Sequence, residues 1–170
     1  MTHGTWITLL ERQSHGKEGI GWDEIVVGHD FGLLDPAEIQ RWLREQQPQG
    51  ACALELVALE GERLAGFEAC FWAACREATG RKVPRPGDQR WARAQDRWRV
   101  ALLKDALESP LSPEALAVAV ESIYERVGCP EDMLELWQRH NPWQAIPGRA
   151  DRTAIDSFLR RCEEDFVSAS

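Results

Sequence analysis

Two stretches of this chain carry the same helix-start signature. Residues 34–39 read LDPAEI and residues 111–116 read LSPEAL. Asp35 and Ser112 can accept hydrogen bonds from the free N–H groups of a first helical turn, and the proline after each suits the first helical position because no donor is needed there. The leucine before each cap can pack on the apolar residue at the fourth helical position. Both stretches therefore predict helix starts.

The spacing of apolar residues extends this pattern to an all-α fold. Residues 5–12 could form a first strand or a short helix, and no alternating strand pattern occurs elsewhere. We predict a single domain over residues 1–170, with seven or eight helices packed as antiparallel hairpins and a basic, proline-rich loop at 80–88. The predicted helices span about 21–31, 36–47, 51–60, 62–79, 89–108, 113–127, 130–139 and 152–166.

Composition is that of an ordinary globular protein. The chain has 170 residues, of which 44% are hydrophobic and 28% charged, so it can bury a substantial core without metals or disulfides. Its five cysteines are odd in number and lack a CxxC spacing, which favours reduced thiols in the cytosol. The start MTHGTWITLL does not resemble a signal peptide, and no apolar run approaches the ~20 residues that cross a bilayer. We expect a cytoplasmic protein that does not bind membranes.

Residues 76–99, here called the basic island, depart from that composition. They hold eight Arg/Lys and three Asp/Glu, a net charge of +5 in a chain whose total is −8. On a helix over 89–108 the arginines at positions 90, 93 and 97 share one face, and the tryptophans at 91 and 98 form the neighbouring stripe. A candidate anion-binding face therefore comprises Arg85, Arg90, Trp91, Arg93, Arg97 and Trp98.

Two interpretations of the basic island remain open. It could bind nucleic acid or a phosphate ligand, since arginine binds phosphate bidentately and aromatic rings stack on bases. Alternatively, Trp91 and Trp98 belong to the core and the arginines clamp the protein's own acidic helices. The second is favoured because the sequence pI is about 5.1 and a nucleic-acid site normally has a wider basic surface.

Residues 108–136, here called the acidic segment, hold seven Asp/Glu and one Arg, a net charge of −6. On a helix over 113–127, Glu114, Glu121 and Glu125 line one solvent face. Such a face is either simply hydrated or a docking surface that steers a cationic partner. The candidate partner-binding residues are Glu114, Glu121, Glu125, Glu131, Asp132 and Glu135.

The sequence contains no recognisable catalytic or metal-binding motif. His29-Asp30 could be an acid/base pair, although a histidine at a helix C-terminus also interacts favourably with the helix dipole. Cys70 and Cys75 lie on an apolar helix, where a thiol is buried rather than reactive. The four histidines of the chain lack HExxH spacing, so we predict no metal site. These histidines are His3, His15, His29 and His140. We also predict no cofactor and no catalytic residue.

Short stretches resemble a known bacterial family. Residues 22–25 (WDEI), Gly28 and residues 32–34 (GLL) resemble the opening of domain-of-unknown-function family 2247. Residues 121–124 (ESIY) and 128–131 (GCPE) resemble its closing helices. The resemblance spans most of the chain and implies a compact helical bacterial protein, without supplying catalytic residues. Small acidic proteins of this type are similar in general character to the immunity proteins of bacterial toxin systems.

The leading hypothesis is therefore a non-enzymatic binding protein of the bacterial cytosol. It would be an immunity-type protein that neutralises a cognate toxin by covering a cationic active site with the acidic face. The alternative is a nucleic-acid or phosphate-ligand binding module built on the basic island. A third hypothesis is an enzyme that uses His29 or His140 together with residues distant in sequence.

Overall fold

The computed structural model describes residues 6–13, 19–60, 65–140 and 152–168, and these contain nine α-helices and no strand. The all-α prediction is confirmed, and the ambiguous first segment is a helix. The helices are α1 Trp6–Gln13, α2 Trp22–Asp30, α3 Pro36–Glu45, α4 Ala51–Val57, α5 Phe67–Thr79, α6 Gln89–Glu108, α7 Pro113–Arg126, α8 Leu134–His140 and α9 Arg152–Ser168, with a 3₁₀ helix Glu131–Met133 before α8.

Some helix ends lie where the local sequence predicts them, whereas α4 ends at Val57 and not at 60, α5 begins at Phe67 and not at 62, and α8 begins at Leu134 and not at 130. Asp35 Oδ1 accepts a hydrogen bond from Glu38 N at 2.8 Å, and Glu38 Oε2 accepts one from Asp35 N at 3.3 Å. Ser112 Oγ accepts from Ala115 N at 3.2 Å. Gly80 ends α5 in the left-handed region with φ +62°, which a glycine adopts without steric cost. A reciprocal cap thus fixes the start of α3, a single side-chain cap fixes the start of α7, and a left-handed glycine ends α5.

Helix α6 is the centre of the fold, because α1, α2, α7 and α9 all pack against it. Its inward face follows the helical repeat and is buried throughout its length. The buried apolar residues of this helix are Trp91, Ala94, Trp98, Val100, Ala101, Leu102, Leu103 and Ala106. Each neighbouring helix adds its own apolar stripe, so a single core forms around α6.

Helices α2 and α6 approach each other closely at Gly28. A Cβ atom on Gly28 would lie 2.7 Å from Trp98 Cζ2 and 2.9 Å from Leu34 Cδ1, well inside contact distance. The indole of Trp98 therefore rests directly on the backbone of α2. Its Nε1 donates a hydrogen bond to the carbonyl oxygen of Glu24 at 2.8 Å, so the buried ring has its one polar atom satisfied.

Arg152, the first residue of α9, joins that helix to the end of α6. Its Nη1 donates to Leu107 O at 2.6 Å, and its Nη2 donates to Ser109 O at 3.3 Å and Leu111 O at 3.2 Å. Carbonyl groups at a helix C-terminus lack intrahelical donors. The guanidinium supplies donors to the chain leaving α6 and adds positive charge at the negative end of the helix dipole.

Candidate partner-binding surface

Two of the three arginines on the α6 stripe face the first turn of α2. Arg90 Nε donates to Asp23 Oδ2 at 2.8 Å, Arg90 Nη2 donates to Asp23 Oδ1, and Arg90 Nη1 donates to Lys82 O at 2.9 Å. Arg97 Nη1 donates to Glu24 Oε1 at 2.7 Å. The two arginines therefore act as an internal clamp, as the favoured interpretation of the basic island expected, but the helix they hold is α2 and not the acidic segment.

Glu24 is the hub of this interface. It is 8% exposed, and its Oε2 accepts a hydrogen bond from Gly21 N at 2.8 Å while its Oε1 pairs with Arg97. Its backbone carbonyl accepts the indole N–H of Trp98. A buried carboxylate is tolerated only when paired and hydrogen-bonded, and Glu24 meets both conditions. Sequence reasoning missed its role, although two adjacent carboxylates in the first turn of a helix were the available signal.

One arginine does connect the basic island to the acidic segment. Arg99 Nη1 lies 2.5 Å from Asp132 Oδ1 and its Nη2 lies 2.8 Å from Asp96 Oδ1. The residue is 6% exposed, and its guanidinium lies 5.4 Å from the centroid of the Phe158 ring. Burial opposes the charge, but the Asp132 hydrogen bond and the Asp96 carboxylate outweigh it and raise the pKa of Arg99. Arg99 thus stays charged inside the fold.

The aromatic half of the candidate anion-binding face lies in the core. Trp91 is 7% exposed and Trp98 is 0% exposed, and Trp91 packs edge-on against Phe31 with ring centroids 5.9 Å apart. Neither indole can stack on a base, which corrects the anion-binding interpretation of these two residues. Arg85 and Arg93 are exposed, and neither forms an ion pair within the described part of the chain.

Helix α7 carries a charged stripe opposite its buried face, on which Glu114 and Glu125 are exposed and Glu121 is half-buried. Glu114, Val118, Glu121 and Glu125 follow one another at intervals of four, three and four residues, so they form one stripe, here called the α7 face. Val118 is 56% exposed in the middle of this stripe. The opposite side of the helix buries Leu116, Val120 and Ile123.

The six acidic candidates divide into two groups. Asp132 pairs with Arg99, and Glu135 Oε1 lies 2.6 Å from Arg139 Nη2 one turn further along α8. In the residues that the structure describes, the remaining four acidic side chains make no ion pair. These four are Glu114, Glu121, Glu125 and Glu131. The candidate partner-binding surface therefore narrows to the α7 face, with Glu131 beyond the end of that helix.

Local hydrogen bonds keep the first carboxylate of the α7 face ionised. Its own backbone N–H and the Ser112 hydroxyl lower the pKa of Glu114. Glu114 also lies in the first turn of α7, where the helix dipole favours negative charge. Glu114 therefore keeps its negative charge to a lower pH than a glutamate without these hydrogen bonds.

His29 is packed among the aromatic rings of α5. Its Nε2 lies 3.6 Å from Glu68 Oε1, and its Nδ1 has no hydrogen-bond partner among the described residues. Three ring centroids of α5 lie 5.0–5.9 Å from the imidazole centroid. The rings belong to Phe67, Phe71 and Trp72. The pKa of Asp30 is raised, chiefly because the carboxyl group is partly buried. The positive charge of His29 lowers this pKa, and the negative charge of Glu68 raises it.

The other histidines and the thiols show no assembled reactive centre in the described residues. His140 is buried and its Nδ1 lies 2.7 Å from Leu136 O, while His3 and His15 lie outside those residues. No group of three potential metal ligands occurs in the described part of the chain. Burial raises the pKa of Cys75 to about 11, which leaves this thiol protonated at neutral pH.

Comparisons with known proteins give no match: no family model, no curated protein and no solved structure matches this chain. The resemblance to family 2247 therefore stays a prediction. Among the helices that the structure describes, none is both long enough and apolar enough to cross a membrane.

Proposed function

We propose that this chain is a non-enzymatic bacterial binding protein of the cytosol that neutralises a cognate toxin. In this proposal the α7 face covers a cationic active site of the toxin, in the manner of an immunity protein. The toxin domain would therefore be basic, and no nucleic acid, cofactor or membrane takes part.

The observation that carries the proposal is the composition of the α7 face. It combines three carboxylates that make no ion pair in the described residues with one exposed valine at their centre. Interfaces of this kind use an apolar contact that excludes water, surrounded by charges that fix orientation. The carboxylates from Glu114 to Glu125 extend over about 16 Å at 1.5 Å per residue, which is wide enough to cover a substrate cleft.

The proposal also specifies what each group contributes. Carboxylates opposite a cationic site accelerate encounter and set the register of docking, so they act chiefly on the association rate and its salt dependence. Val118 would enter a small apolar recess of the partner and act on the dissociation rate. Arg99, through Asp132, fixes the acidic segment against α6 and keeps the surface in place.

The test is co-purification of the chain with the products of neighbouring genes, followed by affinity measurement on any basic partner obtained. The double variant Glu121→Lys/Glu125→Lys should weaken binding by about 100-fold or more, since each tenfold loss corresponds to about 1.4 kcal/mol. The same variant should fail to protect cells that express the toxin.

A matched control separates surface chemistry from net charge. Glu45→Lys/Glu60→Lys changes the net charge equally, and both residues are exposed and lie on or beside α3 and α4. This control should retain affinity within a few-fold. Equal binding by the two double variants would refute the α7 face as the docking surface.

A further inference from the structure

The loop between α5 and α6 is held in one conformation by its own hydrogen bonds and by α6. Asp88 N donates to Arg85 O at 2.9 Å, and Asp88 Oδ2 accepts from Arg85 N at 2.9 Å. Arg90 Nη1 donates to Lys82 O at 2.9 Å, so the inward-facing arginine of the clamp also anchors this loop. Pro84 is buried against the core. The loop is therefore pre-organised and would lose little entropy on binding a partner.

Five exposed cations lie on this loop and on the two helices that it joins; they are here called the basic surface. All five side chains are exposed, and none pairs with a carboxylate in the residues that the structure describes. They are Arg76, Arg81, Lys82, Arg85 and Arg93.

The carboxylates closest in sequence are engaged elsewhere. Glu77 Oε2 accepts hydrogen bonds from Cys52 N at 2.9 Å and Ala53 N at 3.3 Å, at the start of α4. Asp88 accepts the backbone N–H of Arg85. Within the described residues the cations of this surface therefore form no direct ion pair, in contrast to the arginines at positions 90, 97 and 99.

We propose that the basic surface docks an acidic segment of a partner protein. Four of its five cations are arginines, whose planar guanidinium groups pair bidentately with carboxylates. A nucleic acid fits less well, because the indoles of Trp91 and Trp98 are buried and cannot stack on bases. In addition, a chain of net charge −8 repels an extended polyanion, whereas a short acidic segment contacts only the loop and its neighbours.

This second surface goes beyond the proposed toxin-binding function. It has the opposite charge from the α7 face and lies on different elements, so it would engage a different part of the toxin or a different protein. The two proposals can therefore fail separately.

The test is fluorescence anisotropy at low salt with a labelled, short glutamate-rich peptide and the full chain. The peptide should bind, and Arg81→Glu/Arg85→Glu should weaken its binding by about tenfold or more. The control Arg41→Glu/Arg160→Glu makes the same change in net charge at exposed positions on α3 and α9 and should retain binding within a few-fold. Circular dichroism should show the same helix content in all variants, because none of the four side chains is buried.

Three results would overturn the inference. They are absence of peptide binding at low salt, equal losses in the two double variants, or tighter binding of a single-stranded oligonucleotide of the same charge than of the peptide. The variant Glu121→Lys/Glu125→Lys should bind the peptide at least as well as the parent chain, which keeps this test independent of the α7 face.

Discussion

The α2–α6 interface and the α7 face use the same kind of side chain in opposite ways. At the interface, Glu24 and Asp23 each accept hydrogen bonds from an arginine and are partly or fully removed from water. On the α7 face, Glu121 and Glu125 stand one turn apart and make no ion pair in the described residues. The first pair of carboxylates holds helices together, whereas the second pair contributes repulsion.

This difference shows that charge content alone does not separate a structural cluster from a binding surface. A desolvated carboxylate needs its partner, since removing one member of a buried pair strands the other charge. A hydrated carboxylate contributes little to the free energy of unfolding, so its removal changes stability little. Loss of stability on substitution therefore identifies the first kind, and loss of binding without loss of stability identifies the second.

The largest difference in unfolding free energy between the two regions should follow from truncating the apolar residue at the centre of each one. Trp98→Ala removes a fully buried ring and should lower the free energy of unfolding by about 3–5 kcal/mol. Val118→Ala should change it by less than about 0.5 kcal/mol, because Val118 is exposed. Urea unfolding of the two variants measures both values, and similar losses would contradict the contrast.

The next largest difference in unfolding free energy should follow from removing one carboxylate from each region. Glu24→Ala removes the acceptor of the Gly21 N–H and the carboxylate that pairs with Arg97, and it should cost about 1–3 kcal/mol of unfolding free energy. Glu121→Ala should remain within about 0.5 kcal/mol of the parent chain. A double-mutant cycle between Glu24→Ala and Arg97→Met isolates their pairwise coupling, and zero coupling would show that the ion pair contributes nothing.

A smaller effect of opposite sign should appear on the α7 face. Glu121→Gln removes the repulsion between Glu121 and Glu125 and should raise the free energy of unfolding by about 0.2–0.5 kcal/mol at low salt. The gain should shrink as salt screens the charges. Thermal unfolding at low and high ionic strength measures it. A gain that is independent of salt would point to a cause other than repulsion.

The smallest effects concern pH and distinguish two carboxylates with opposite surroundings. The pKa of Asp30 is raised in the folded chain, so its ionisation destabilises the fold; this penalty is complete above the folded pKa, shrinks as pH falls from the folded pKa towards the unfolded value of 3.8, and is absent below 3.8. The pKa of Glu114 is lowered, so its contribution stabilises the fold above the unfolded value of 4.5 and is lost as pH falls through the folded pKa.

The corresponding variants should therefore move in opposite directions. Asp30→Asn should be slightly more stable than the parent chain at neutral pH, by less than about 0.5 kcal/mol, and Glu114→Gln slightly less stable. Both should converge on the parent chain at low pH. Denaturant unfolding across an acidic pH series tests this, and a shift of the same sign in both variants would contradict the assignment.

Helix positions were predictable because the determining interactions are local. The predicted helix over 89–108 coincides with α6 at Gln89–Glu108, and the one over 113–127 differs from α7 at Pro113–Arg126 by one residue. Caps and apolar repeats act within a few residues, so a single sequence contains them. The membership of Trp91 and Trp98 in the core was indicated by the same helical repeat.

The partners of the arginines were not predictable in the same way. The spacing of Arg90 and Arg97 shows that they share a face of α6, but it does not show which element lies opposite. Their carboxylates on α2 are 67 and 73 residues away in sequence. The acidic segment was the nearer and more charged candidate, yet the ion pair that the described residues show between it and the basic island is that of Arg99 with Asp132. Long-range packing decides between such alternatives, and one sequence does not determine it.

The contact of Arg152 with the end of α6 has a consequence for the order of folding. Its three carbonyl acceptors lie 41 to 45 residues earlier in the chain, so during synthesis α6 leaves the ribosome well before the guanidinium that completes its C-terminal end. The α2–α6 clamp, by contrast, is fully encoded once α6 has emerged. Helices α2 and α6 can therefore pack together first. Helix α9 then packs against α6 as a late step, and the rate of that step would measure how fast folding is completed.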